Sequence, residues 1–296
     1  MNVTSRIEND LGDLLRVRQG FELSEVDTGA TPGFEGGKAE GKLALLARDK
    51  KLAELQELLF ANGFADDRRR VLLVLQAMDT AGKGGIVRHV VGSVDPQGVH
   101  LATFKAPTDA EKRHDFLWRI RKQVPPPGTI GVFDRSHYED VLIARVEELV
   151  DEQEIERRYQ AINDFEKSLV DSGTVVIKCM LNVSAEEQKA RLLARLDEPA
   201  KQWKFKPDDV DEREHWAEYQ TAYEVALERC NTDAAPWYVV PSDHKWYRNW
   251  AVAQLLVEAM RGMKLDWPEP DYDVAEQRKR LEEENSEKSE QSSGQP

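Results

Sequence analysis

The stretch LQAMDTAGKGG, residues 75–85, sets an aspartate and a lysine among glycines directly after an apolar run. These residue types can handle phosphate. Gly82, Gly84 and Gly85 let a backbone approach a bulky anion closely. The N–H groups of such a turn, here from Ala81, Gly82, Gly84 and Gly85, can converge on phosphate oxygens, and the start of a following helix adds positive potential. Lys83 can place an ammonium against the same group. Two positions depart from the usual G-x-x-x-x-G-K-[ST] loop: Ala77 replaces the first glycine, and Gly84 replaces the hydroxyl that binds magnesium. A working site then needs a metal-binding oxygen from elsewhere, and Asp79 stands inside the loop. A bare carboxylate repels phosphate, so its expected role is to hold a cation or to orient a nucleophilic phosphate. The competing reading is a turn aspartate bonding its own backbone.

A second set lies in TIGVFDRSHYED, residues 129–140, where an apolar run ends on Asp134 and Arg135. A strand-end aspartate suits a metal-reaching Walker-B role, and an arginine can fork onto phosphate oxygens. Tyr138, Glu139 and Asp140 follow; they either shape a nucleotide pocket or simply begin the next helix. Lys105, in FKAPT, is a further phosphate candidate near a strand end. Residues 188–206, QKARLLARLDEPAKQWKFK, carry six basic and two acidic side chains. Arg191 and Arg195 stand four apart, which puts them on one helix face that could close over a phosphate chain as a lid. The alternative is a solvated helix with a basic loop. His114 with Asp115, and His137 with Glu139, lack metal-helix spacing, so zinc is not expected. No Gly-x-Ser-x-Gly or cysteine–histidine arrangement is present either.

The elements that must position these residues follow from periodicity. Short apolar runs at 68–78, 99–104, 129–135, 174–181 and 237–242 read as five strands. Between and around them, 38–62, 86–94, 109–124, 151–171, 184–197, 208–230 and 244–262 read as helices. Such alternation implies a parallel sheet covered on both faces, a three-layer α/β/α domain with one core. Ligands in such sheets bind beyond the carboxyl ends of the strands, where both acidic sites fall.

Composition narrows the class. The formal net charge of −14 argues against a nucleic-acid partner but not against an anionic substrate, because local fields can oppose the net charge. No apolar stretch approaches the roughly 20 residues needed to span a bilayer. Cys179 and Cys230 match no metal-ligand spacing, and with no signal-peptide pattern a reducing cytoplasm is expected.

Taken together and in order, QAMDTAGKGG, FKAPT, HDFLWR, FDRSHYED and RLLARLDEPAKQWKF resemble the polyphosphate kinase 2 family over roughly residues 38–265. The resemblance implies a P-loop kinase fold with a five-stranded parallel sheet and a helical lid at about 188–210. It also implies reversible, Mg²⁺-dependent transfer of the terminal phosphoryl group of inorganic polyphosphate to AMP or ADP, with GMP and GDP as further purine candidates and Mn²⁺ able to substitute. Asp79 and Lys83 match the family's loop pair, Asp134 and Arg135 its Walker-B pair, and Arg191 and Arg195 fall in its lid. Asp79 and Asp134 would hold the metal. Many members have Asn-Arg after Tyr138; Glu139-Asp140 looks like the branch that accepts both mono- and diphosphates. A homodimer or homotetramer is implied, with the 38–62 helix a plausible contact. Residues 1–37 then read as an N-terminal extension and 266–296 as a charged, largely disordered tail. The rival functions are an ATP-dependent nucleoside monophosphate kinase and a non-catalytic polyphosphate or nucleotide sensor.

Overall fold

A computed structural model describes residues 10–292. The first nine residues of the expected N-terminal extension and the last four of the expected tail lie outside that range. The chain forms two compact units, Met1–Leu265 and Asp266–Pro296.

The first unit is built on β1 (Arg70–Gln76), β2 (Val99–Thr103), β3 (Ile130–Asp134), β4 (Thr174–Asn182) and β5 (Trp237–Pro241). They form one sheet in the order β2-β3-β1-β4-β5, with every pairing parallel. Val71 to Leu75 are fully buried, which is why this run alternates so little in polarity: β1 is central and covered on both faces. The chain leaves β1 toward β2 and returns to the other side of β1 at β4, so the strand order reverses there. A crevice opens beyond such a switch point. Register places Leu75 level with Asp134, and Asp134 level with Thr103, so the loops after β1, β3 and β2 emerge at one edge.

The helices of this unit are α1 (Leu11–Leu15), α2 (Lys38–Phe64), α3 (Lys83–His89), α4 (Trp118–Arg121), α5 (Glu139–Val146), α6 (Glu152–Asp171), α7 (Ala185–Asp197), α8 (Asp208–Glu214), α9 (Trp216–Arg229) and α10 (Lys245–Gly262). α2 lies close against α10: a Cβ at Gly41 would fall 2.0 Å from the Trp246 ring. α10 is almost wholly buried, which a helix of such mixed polarity does not advertise.

Two expectations change. The helix expected over 109–124 breaks into a single 3₁₀ turn at Glu111–Arg113 and the short α4. Asp115 explains the break, because its side chain accepts from Leu117 N and its carbonyl from Trp118 N, competing with helical bonding. The helix expected over 208–230 is interrupted at His215, giving α8 and α9. Residues 10–37, within the expected N-terminal extension, pack on the first unit: Leu11, Leu15, Val17 and Leu23 are buried, and Val17 N donates to Trp237 O beside the edge strand β5. The segment covers an edge that would otherwise expose unpaired backbone groups.

In the second unit, α11 (Val274–Ser292) is helical within the stretch that the sequence presents as a charged, largely disordered tail. Asp273 Oδ1 accepts from Ala275 N and Glu276 N at its start.

Candidate active site

The loop between β1 and α3 turns through two left-handed residues, Thr80 at φ +61° and Gly82 at φ +125°. Ala77 keeps a negative φ, so alanine serves where a glycine is usual. Lys83 Nζ donates to Ala77 O at 2.8 Å, folding its ammonium across the mouth of the loop. Gly82 and Gly85 are sterically required: a Cβ there would fall 1.6 and 2.6 Å from the Arg248 guanidinium. Gly84 meets nothing within 4 Å, so the place of the missing hydroxyl is open space.

Opposite this loop, Arg135 also adopts a left-handed backbone, at φ +64°, with its N–H bonded to Leu75 O at the end of β1. A non-glycine residue held there stores strain of about 1–3 kcal/mol, and such positions cluster at functional sites. The guanidinium reaches back over the loop: Nη2 donates to Asp79 Oδ1 at 3.2 Å, and Nη1 lies 3.7 Å from Glu139 Oε2. Asp134, at the end of β3, is half-buried, and its carboxylate makes no ion pair or hydrogen bond among the described residues.

The charges interact strongly. Burial alone would raise the Asp79 carboxyl, but Lys83 and Arg135 outweigh it and hold it below the usual range. Burial pulls Arg135 down, and Glu139, Asp79 and Glu212 more than reverse this. Glu212, on α8, is pushed up to about 7, first by burial and then by the Asp79 charge beside it. Burial also raises Glu139, against the pull of Arg135 and Lys83, and raises Asp209, with Asp79 adding to it. Asp79, held below the usual range, thus sits beside Glu139, Asp209 and Glu212, which burial raises.

Of the residues singled out in the sequence, Asp79, Lys83, Arg135 and the loop glycines come together at this edge, with Asp134 level at the end of β3. Four others have surroundings that the sequence does not reveal. Tyr138 is turned into the core: it is fully buried, donates to Glu166 Oε1 at 2.8 Å and accepts from Lys178 Nζ at 2.9 Å. Lys178 also donates to Glu166 Oε2 and Cys230 O, both at 2.6 Å, so a buried ion pair under the site occupies the tyrosine hydroxyl. Arg191 does not point from a lid. Its guanidinium donates to the carbonyls of Thr80, Ala81, Ser242 and Asp243 at 2.7–3.0 Å. Arg195 shares no face of action with it, bonding instead to Lys204 O and Asp209 within the 188–210 segment. Lys105 is exposed, and only its carbonyl is engaged, by Arg119 at 2.6 Å. For Tyr138, Arg191 and Arg195, helical or strand-end spacing shows which residues share a face, not which distant group engages the side chain.

Glu139 and Asp140 open α5. Glu139 faces Arg135, and Asp140 pairs with Arg119 at 3.2 Å on the wall of a cavity of about 270 Å³. His114, Phe116, Arg157 and Arg158 line the same cavity. Sequence reading missed Glu212, Asp209 and Arg248. The two acids sit in DDVDERE, which looks like a solvated face, but an arginine inside the apolar KWYRNW was a usable signal.

Among the described residues no group of three or more potential ligands forms a metal cage. Magnesium does not need one: it keeps several waters and takes one or two carboxylates together with substrate phosphates. Asp79 and Asp134, two acids at the mouth of a phosphate loop, fit that mode.

Fold and site together define a phosphate-loop protein of the α/β class. The chain belongs to the polyphosphate kinase 2 family, whose model matches residues 37–268. It is 46% identical over 251 residues to an AMP/ADP-polyphosphate phosphotransferase of Meiothermus ruber, covering 85% of this chain and 92% of that one. It is 39% identical over 268 residues to an ADP-polyphosphate phosphotransferase of Rhodopseudomonas palustris, covering 86% and 91%. The crystal structure of polyphosphate kinase 2 from Arthrobacter aurescens TC1 superposes with a TM-score of 0.92 at 57% identity, covering 94% of this chain and 99% of that one.

Proposed function

We propose that this chain transfers the terminal phosphoryl group of inorganic polyphosphate to a purine nucleoside mono- or diphosphate, reversibly and with Mg²⁺. The observation that carries this reading is Asp79, paired with Arg135 at 3.2 Å inside a phosphate loop whose hydroxyl position, Gly84, is empty space. The loop N–H groups and Lys83 bind the phosphate chain, and Arg135 neutralises charge that builds on the transferring group. Asp79 orients the attacking acceptor oxygen in line with the bond that breaks. A magnesium ion held by Asp79 and Asp134 would shield the two polyanions from each other. Transfer is chiefly a matter of positioning and charge stabilisation, and the strained Arg135 backbone supplies fixed geometry.

The acceptor's nucleoside is assigned to the cavity of about 270 Å³ whose wall includes Asp140, one residue from Glu139. His114 stacks on Trp118 at 4.0 Å, and Phe116 and Arg119 add an apolar and a cationic wall. The name of the Meiothermus ruber relative, with AMP and ADP both in it, supports the mono- and diphosphate assignment. The test mixes protein, Mg²⁺, long-chain polyphosphate and either AMP or ADP, with no ATP present. Nucleotide phosphorylation is expected with both acceptors. Failure with both, alongside robust transfer from ATP to a monophosphate, identifies an ATP-dependent monophosphate kinase instead.

A further inference from the structure

Arg248, on α10, is 3% exposed and packs its guanidinium against the phosphate loop. Nη1 donates to Ala81 O at 2.7 Å, while Nε and Nη2 donate to Asn249 Oδ1 at 3.2 and 2.8 Å. Arg191, from α7, donates to the same Ala81 carbonyl at 2.9 Å and to Thr80 O at 3.0 Å. Arg191 has a carboxylate partner, Glu187, at 2.7 Å. Arg248 has none among the described residues. A buried cation without a counter-ion is costly, and an arriving anion would relieve that cost. Burial first, and Arg191 next, lower the Arg248 guanidinium to about 9, so it remains charged at neutral pH.

The geometry shows what the pair does to the loop. A peptide's C=O and N–H point in opposite directions across a rigid plane. Two arginines holding the Ala81 carbonyl from behind therefore turn the Gly82 N–H forward. The N–H groups of Gly82, Lys83 and Gly84 have no protein acceptor among the described residues, and the Gly84 side of the loop is open.

We propose that Arg248 is a positioning residue for polyphosphate binding: with Arg191 it clamps the loop from the rear, and its unmatched charge is compensated only when a phosphate chain enters the front. This rests on the polyphosphate reading above, and the probe separates the two. Asn249→Asp is isosteric and puts a carboxylate where Arg248 already donates two hydrogen bonds. The fold should be kept or strengthened while the charge is neutralised. Titration calorimetry with tripolyphosphate and, separately, with AMP is expected to show tripolyphosphate binding at least about tenfold weaker in N249D, with AMP affinity within about twofold and no fall in melting temperature. The pair Arg248→Lys and Arg248→Met gives a second comparison. Lysine keeps the charge but loses the fork, so R248K should bind tripolyphosphate distinctly more tightly than R248M. A folded N249D that binds tripolyphosphate as the parent does overturns the proposal, as does equal weakening in R248K and R248M. A parent chain that does not bind tripolyphosphate at all overturns instead the polyphosphate reading on which it rests.

Discussion

Replacing Asp79 by asparagine preserves the shape of the side chain and removes its charge, so stability and catalysis should separate. The carboxylate is 20% exposed and faces Arg135, itself 30% exposed, at 3.2 Å. A partly exposed pair of this kind is worth about 1 kcal/mol or less. Burial of the ionised carboxyl works against it. The net change in stability should therefore stay within about 1 kcal/mol, or roughly 2–4 °C in melting temperature. Turnover should fall much further. Loss of a group that holds the metal and aims the nucleophile costs about 100-fold or more, equivalent to about 2.7 kcal/mol of barrier. The assay is the initial rate of nucleotide phosphorylation from polyphosphate, with thermal unfolding followed on the same preparations. A rate within threefold of the parent removes Asp79 from the mechanism. A melting temperature lowered by more than about 10 °C refutes the division between its structural and catalytic roles.

Gly82→Ala should lose phosphate binding and stability, since its φ is +125° and the new Cβ meets Arg248 at 1.6 Å, whereas Gly84→Ala should leave melting unchanged or raised; melting curves with and without tripolyphosphate check the order. Lys178→Met strands the Glu166 carboxylate in the core and should cost about 3–5 kcal/mol by urea unfolding, part of which Glu166→Gln in the same chain should restore. Glu258 is held near 7, first by burial and then by Asp10. The folded chain keeps that proton after the unfolded chain has released it, so stability from this group declines as pH rises from about 4.5 towards 7. Glu258→Gln should flatten the slope in that window, and parallel slopes in parent and variant would count against the assignment.

Much of the architecture was legible because burial on both faces of a parallel sheet writes itself as unbroken apolar runs. VLLVL, GVF and VVIKCML mark β1, β3 and β4, and the loop after the first of these carries its own chemistry in its glycines. What stayed hidden depends on partners far apart in the chain. Arg191 sits at the helical spacing of a lid arginine, yet four carbonyls from two loops consume it. Tyr138 follows a strand-end motif, yet Lys178 and Glu166 draw it into the core. Lys178 itself interrupts an otherwise apolar strand, and nothing local in the sequence names its partner. The break at Asp115 turns on a local bond that a helical pattern of Phe116, Leu117 and Ile120 masks. The role of Glu139 becomes clear only once the left-handed turn at Arg135 brings the guanidinium back to it.

The most direct test of the central claim is a donor competition at one acceptor. AMP is offered with either long-chain polyphosphate or ATP as the sole phosphoryl donor, at matched terminal-phosphate and Mg²⁺ concentrations, and the initial rate of ADP formation is measured for each. A loop rebuilt around Asp79 for a phosphate chain predicts rapid transfer from polyphosphate, lost in Asp79→Asn. Transfer from ATP with none from polyphosphate, or polyphosphate transfer that survives in Asp79→Asn, would contradict it.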